Sequence, residues 1–294
     1  MRANRLPLIA LVMAALLFAA TLFYRVSQPA PAPETPPPAT ADPGLVQTPL
    51  ATAAIPTFTP DAHVPAVNTG ASVVYREGLV GTVQRINPLL ASLNPVDADI
   101  SAPIFEGLTA INQYGEPMPA LADHWIISAD GLEYVVFLRD DILWQDGVAF
   151  SAADVLYTTS LLRSPDFPGD AALRQFWSTV EVEQLGDSIV RFRLTQPLGS
   201  FLEQLTIGLL PEHALRGTTA ANLAAHPINL APIGTGPYQL AALRADASGV
   251  REVDLRAAPT FSSRREAQAS PYTLDPVTFV LYSAFEAAQN ALAA

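Results

Sequence analysis

Eleven prolines crowd the stretch from Ser27 to Gly70, and they limit what this part of the chain can fold into. Each proline fixes its own φ, offers no backbone N–H and pushes the residue before it out of the helical region. Between them lie mostly Ala and Thr, with Glu34, Asp42 and Asp61 as the charges. Such a composition buries too little apolar surface to offset the entropy of folding, so residues 27–70 are expected to be a disordered tether. In the polyproline regime it would extend on the order of 100 Å. Folded structure is thereby expected over 71–294, which is enough for a sizeable core.

Ahead of the tether, Leu6 to Tyr24 is a run of 19 uncharged residues preceded by Arg2 and Arg5. At about 1.5 Å per residue it is long enough to cross the hydrocarbon of a bilayer. A positive start followed by an apolar run also describes an export signal. Bulky Leu22, Phe23 and Tyr24 stand where a signal peptidase requires small groups, so a retained anchor over residues 1–26 is favoured over a cleaved signal. Two arginines before the run and Arg25 after it place the N-terminus inside and the bulk of the chain outside.

The chain carries 28 acidic against 16 basic residues, and all of the basic ones are arginine. Such an acidic chain repels phosphate backbones, so nucleic acid is not an expected partner. Without lysine there is no P-loop phosphate grip, no pyridoxal Schiff base and no Ser/Lys nucleophile pair. Cysteine is absent too, which removes thiol nucleophiles, Cys-ligated metals and disulfides.

Beyond Ala71, short apolar runs separated by turn residues alternate with helical patterns, as in a mixed α/β or α+β fold. Val73 to Arg76 is expected to be a strand, and Ser101 to Leu108 a helix or a helical approach to a loop. Leu132 to Arg139 is a strand between Asp130-Gly131 and Asp140-Asp141 turns. In Ile189 to Leu194 the residues Val190, Phe192 and Leu194 share one face and Arg191 and Arg193 the other, as in a half-buried strand. A helix starts after Ser151, whose hydroxyl can cap the first turn while Asp154 reaches back and Phe150 staples onto Val155; it runs to about Arg163. That segment is expected to be purely structural.

Catalytic patterns are missing: there is no nucleophile elbow and no HExxH, and Gly234-Thr235-Gly236 lacks the third glycine of a dinucleotide fingerprint. His63, His124, His213 and His226 are scattered without ligand spacing, so no metal site and no cofactor is expected. Carboxylate neighbours such as Asp140-Asp141 and Glu181/Glu183 are explained by turn and solvated strand positions. Trp125, Tyr134, Leu138 and Trp144 read as packing residues, and Arg139 beside Asp140 as a structural ion pair or strand-end hydrogen bonder.

A set of short segments runs in order along the folded part: Ile86-Asn87-Pro88-Leu89, Ile104 to Thr109, Gly115 to Trp125, Asp130 to Tyr134, Leu138-Arg139-Asp140, Trp144 to Gly147, Phe150 to Val155, Leu210 to His213, and Pro232 to Tyr238. Together they resemble the family 5 extracellular solute-binding proteins, and the resemblance covers about Val73 to the last residue. Gln145 is a mild departure in a turn. The resemblance implies a periplasmic-binding-protein-like class II fold of two lobes closing on a ligand, with the first lobe largely present and the second missing from this chain. Phe285 to Ala294 then reads as the opening of a helix that continues in the family, and the chain as a fragment. An acylated cysteine, the usual anchor of such receptors, is ruled out here.

By this resemblance the protein is a receptor for a small peptide or similar solute, presenting it to the permease and ATPase subunits of an ABC importer on the outer face of the membrane. Peptide receptors of this kind lean on main-chain hydrogen bonds, with pockets supplying selectivity. The candidate ligand-binding residues are Asn87, Asn94 and Asp97 in the loop after Asn87, Glu106 and Gly107 in the next turn, the pair Phe176 and Trp177, and Thr235, Gly236 and Tyr238. A membrane-tethered sensor or scaffold, and a peptidase, are the alternatives. Ligand identity is not fixed by the fold.

Overall fold

The computed structural model describes residues 73–265 and 274–293, all within a unit spanning Ala66–Ala294. The expected anchor and tether, and His63 with them, lie outside the described residues. In chain order the strands are β1 (Val73–Val80), β2 (Thr109–Ile111), β3 (Pro117–Pro119), β4 (Ala122–Ile127), β5 (Glu133–Leu138), β6 (Glu181–Gly186), β7 (Ile189–Arg193), β8 (Tyr238–Asp246), β9 (Gly249–Ala257) and β10 (Leu274–Tyr282). The α-helices are α1 (Pro95–Ser101), α2 (Ala152–Arg163), α3 (Ala171–Ser178), α4 (Phe201–Gln204), α5 (Glu212–Leu215), α6 (Ala220–Leu223), α7 (Pro259–Ser262) and α8 (Phe285–Ala293). Among the described residues no helix is long and apolar enough to cross a membrane.

The strands form a four-stranded sheet in the order β1-β10-β9-β8, a second in the order β4-β5-β7-β6, and the small β2-β3 hairpin. β1 pairs with β10 in parallel, Tyr75 lying opposite Val277, whereas the other pairs in these sheets are antiparallel. β1 therefore extends beyond the expected Val73 to Arg76, because β10 partners it as far as Val80.

Alternation builds the second sheet. On its inner face Tyr134 lies opposite Phe192 and Val136 opposite Val190, all four buried. Such cross-strand pairs are the unit of sheet stabilisation. The outer face carries arginines between acids: Arg191 pairs with Glu183, and Arg193 with Glu181 at 3.1 Å and Glu133 at 3.4 Å. Glu181 and Glu183 are thus engaged in a surface lattice rather than poised as acid and base.

Inside, Trp177 is T-shaped to Phe192 at 6.3 Å, and Phe192 to Phe201 at 5.6 Å. Edge-to-face geometry of this kind suits the ring quadrupoles. α2 closes over the sheet, and its start is the expected capping box: the Ala153 N–H donates to Ser151 Oγ, and the Ser151 N–H donates to Asp154 Oδ2 at 2.9 Å. Phe150 and Val155, on either side of the cap, are both buried in the core.

Of the two readings of Ser101 to Leu108, a helix or a helical approach to a loop, the structure shows the second. Helix α1 begins at Pro95, capped by Asn94, and ends at Ser101. Pro103 has no N–H to continue the ladder. The Ile104 and Phe105 N–H groups fold back onto the Ser101 carbonyl, and the chain then runs out irregularly to β2.

Candidate ligand-binding site

Two irregular segments distant in sequence, 103–107 and 234–238, lie side by side. The Gly236 N–H donates to the Ile104 carbonyl at 2.8 Å, and the Tyr238 N–H to the Pro103 carbonyl at 3.1 Å. Contact this close requires glycine, since a Cβ on Gly236 would sit 2.6 Å from the Pro103 oxygen. Gly107 is just as tight: its Cβ would fall 2.5 Å from the Leu205 carbonyl oxygen. Both are positions where the missing side chain permits close approach of backbones.

Two side chains fasten this arrangement. Gln145 accepts from the Gly234 N–H at 3.0 Å and donates through Nε2 to the Tyr238 carbonyl at 2.7 Å, while its own N–H reaches the Gly234 carbonyl at 2.9 Å. The mild turn departure seen in the sequence is therefore a bracket on the glycine loop. Arg264 is buried, its Nη1 lying 3.1 and 2.9 Å from the two Glu106 carboxylate oxygens and its Nη2 donating to the Thr235 carbonyl at 2.5 Å. Its guanidinium carbon stands 4.4 Å from the centre of the Phe261 ring, within the range of a cation–π contact. Thr235 is 1% exposed, and its Oγ1 has no hydrogen-bond partner among the described residues. Tyr238 donates its hydroxyl to the Leu274 carbonyl at 2.9 Å.

The structure thus brings Glu106, Gly107, Thr235, Gly236 and Tyr238 into one neighbourhood. The other candidates stand elsewhere. Asn87 is buried, donating to Asn229 Oδ1 at 2.9 Å and accepting from the Leu89 N–H at 3.0 Å. Asn94 caps α1 and donates to the Thr82 carbonyl at 2.8 Å. Asp97 is buried and clasps the N–H groups of Gln84 and Arg85 at 2.8 and 2.9 Å. Phe176 and Trp177 sit on α3 with their rings 5.6 Å apart; Trp177 is 1% exposed and Phe176 packs against the same core.

Arg264 and the reach of Gln145 escaped the sequence reading. Adjacent Arg264 and Arg265 were visible, but nothing in their spacing tells which acid each will meet across more than a hundred residues. Asp154 was also underread. Besides its cap bond it accepts from the Glu212 N–H at 2.8 Å and from Trp144 Nε1 at 3.3 Å, joining three segments. Burial pushes its carboxyl above the ordinary value, against the downward pull of these N–H donors. Asp141 behaves oppositely, held down to about 2 chiefly by its hydrogen bonds from Arg139. Arg139 pairs with Asp141 rather than its neighbour Asp140, which instead meets Arg265 at 2.6 Å.

The histidines have local roles: His124 stacks on Phe137 and contacts Asp123, His213 contacts Asp146 at 2.7 Å, and His226 accepts from the Ile228 N–H. Among the described residues no three His, Asp or Glu side chains gather as metal ligands would.

A mixed α/β scaffold whose candidate site is built from main chain held by side-chain brackets has the makings of a binding protein. Residues 116–294 match the bacterial extracellular solute-binding proteins, family 5 Middle, and the chain belongs to this family. A curated relative, the glutathione-binding protein GsiB of Escherichia coli O1:K1 / APEC, is 30% identical over 157 residues, covering 51% of this chain and 30% of the relative. The fold is similar to that of NikZ from Campylobacter jejuni in complex with Ni(L-His), with a TM-score of 0.63 and 29% identity, covering 76% of this chain and 42% of that one. It is similar also to the oligopeptide-binding protein AppA from Bacillus subtilis in complex with a nonapeptide, with a TM-score of 0.63 and 24% identity, covering 75% and 43%. The chain therefore spans less than half the length of these relatives, and the second lobe lies outside its 294 residues. GsiB and AppA are binding proteins by name.

Proposed function

We propose that this chain supplies the first lobe of an extracytoplasmic receptor that captures a small peptide or related solute and delivers it to the permease and ATPase of an ABC importer. In this reading residues 1–26 tether it to the membrane and residues 27–70 give it reach. The observation that carries the proposal is the family match over 116–294. The glutathione-binding relative supports a small peptide-like solute. Glu106, Gly107, Thr235, Gly236 and Tyr238, all but Glu106 buried in this lobe, form the candidate ligand-binding set, with selectivity left to side chains of the second lobe. Asn87, Asn94, Asp97, Phe176 and Trp177 serve as its scaffold.

A lobe that offers half the contacts binds weakly, near millimolar Kd or about −4 kcal/mol. Saturation-transfer NMR detects ligands in that range. The 294-residue chain, mixed with glutathione and a pool of short peptides, is expected to transfer magnetisation to at least one of them and to leave the pool chemically intact. No transfer at millimolar ligand removes the receptor reading, and cleaved peptides recovered by mass spectrometry replace it with a peptidase.

A further inference from the structure

The corner formed by α7 and the Gly234–Pro237 loop is not fixed by the main hydrophobic core. Ala258 and Phe261 form their own small apolar cluster there. Besides the backbone bonds to Pro103 and Ile104 and the Gln145 bracket, one buried cation joins this corner to the rest. The Arg264 side chain is 0% exposed, yet its partners come from three places: the Glu106 carboxylate, 158 positions earlier, the Thr235 carbonyl, and the Phe261 ring.

We propose that Arg264 is a positioning residue that holds the Glu106–Gly107 turn and the Gly234–Pro237 loop in a single geometry, so that the proposed binding site is built on one fixed arrangement of the two backbones. The proposal rests on the reading of those segments as part of the ligand site. Charge alone does not explain the choice of residue. A planar guanidinium reaches a carboxylate with one arm and a carbonyl with the other while stacking on a ring, whereas a lysine ammonium is a point charge on a flexible stem. A buried ion pair is weak evidence for stability, because desolvation opposes the attraction, but one partner left alone is strongly unfavourable. The pair therefore penalises any state in which turn and loop separate. Backbone bonds in the same place report on it: the Gly236 N–H to Ile104, the Tyr238 N–H to Pro103, and the Leu209 N–H to the Glu106 carbonyl at 3.0 Å.

The test uses the full chain as wild type, Arg264→Lys and Arg264→Met, with amide hydrogen exchange read by NMR. Lysine can still meet Glu106 but not Thr235 at the same time. In Arg264→Lys the Gly236, Tyr238 and Leu209 amides are expected to exchange about tenfold faster or more, while the amides of Val136 and Val190 in the second sheet keep their rates. Arg264→Met should show a larger effect; should it fail to fold, the lysine variant decides alone. Unchanged loop amides in Arg264→Lys overturn the proposal, and so does an equal acceleration of all amides, which would make Arg264 a contributor to global stability only. Saturation transfer to glutathione in the same samples separates the two readings. Loss of transfer confined to the variant supports positioning of a binding surface. Absence of transfer in the wild type counts against the receptor reading, and leaves the exchange result to judge Arg264 by itself.

Discussion

Thr235→Val tests whether the buried hydroxyl of the glycine loop serves the fold or is tolerated by it. Thr235 is 1% exposed and its Oγ1 has no partner among the described residues, whereas its carbonyl is held by Arg264. An unpartnered buried hydroxyl costs about 1–3 kcal/mol relative to water. Valine keeps the β-branched shape, leaves the carbonyl bond in place and removes that cost, so the variant is expected to gain about 1 kcal/mol, the low end of the range. For a domain of this size that corresponds to a rise in Tm of roughly 2–4 °C. Urea denaturation followed by tryptophan fluorescence supplies the number through the midpoint, with the slope m unchanged. A loss of about 0.5 kcal/mol or more would refute the reasoning and show that the hydroxyl is engaged. Paired with saturation transfer, a gain in stability accompanied by lost glutathione contact would mark Thr235 as a group kept for ligand at a cost to the fold.

Gly107→Ala is expected to destabilise by about 1–3 kcal/mol, because its Cβ would press on the Leu205 and Thr206 backbone, and a thermal melt checks it. Asp141 has a carboxyl held at about 2 and thus below its unfolded value, so its contribution is present above about pH 4 and lost as pH falls through 2. Allowing for partial solvent screening this is about 1–2 kcal/mol, and the stability gap between wild type and Asp141→Asn should close over that interval in acid titrations. Ser151→Ala removes the cap of α2 and should cost about 1 kcal/mol in urea denaturation while leaving the exchange rates of the Gly236 and Tyr238 amides in place.

What was legible in the sequence is what neighbours decide. The alternation in β7, the turn at Asp130-Gly131 and the Ser151–Asp154 cap each depend on residues within a few positions of one another. The ordered family segments gave the overall fold because they carry many such local choices at once. What was not legible depends on distant partners: Asn87 with Asn229, Glu106 with Arg264, and Gln145 with the glycine loop. Arg139 is the strand-end ion pair and hydrogen bonder expected, but its partner is Asp141 rather than the adjacent Asp140, because neighbouring side chains at a strand end diverge. Of the two readings of Ser101 to Leu108, the helical approach to a loop is the one the structure shows: Pro103 was the local signal for the break, whereas the close approach of Gly107 to the 205–206 backbone depends on a distant partner.

The pairing of β1 with β10 has a consequence in time. Tyr75 emerges from the ribosome about 200 residues before its partner Val277. At roughly 5–20 residues per second, β1 waits on the order of 10–40 s without the strand it pairs with. Closing so long a loop is entropically slow, so this pairing belongs among the late events of folding. The β1-β10-β9-β8 sheet therefore cannot be completed while the polypeptide is still short: its edge strand is made first and the strand that receives it is made last.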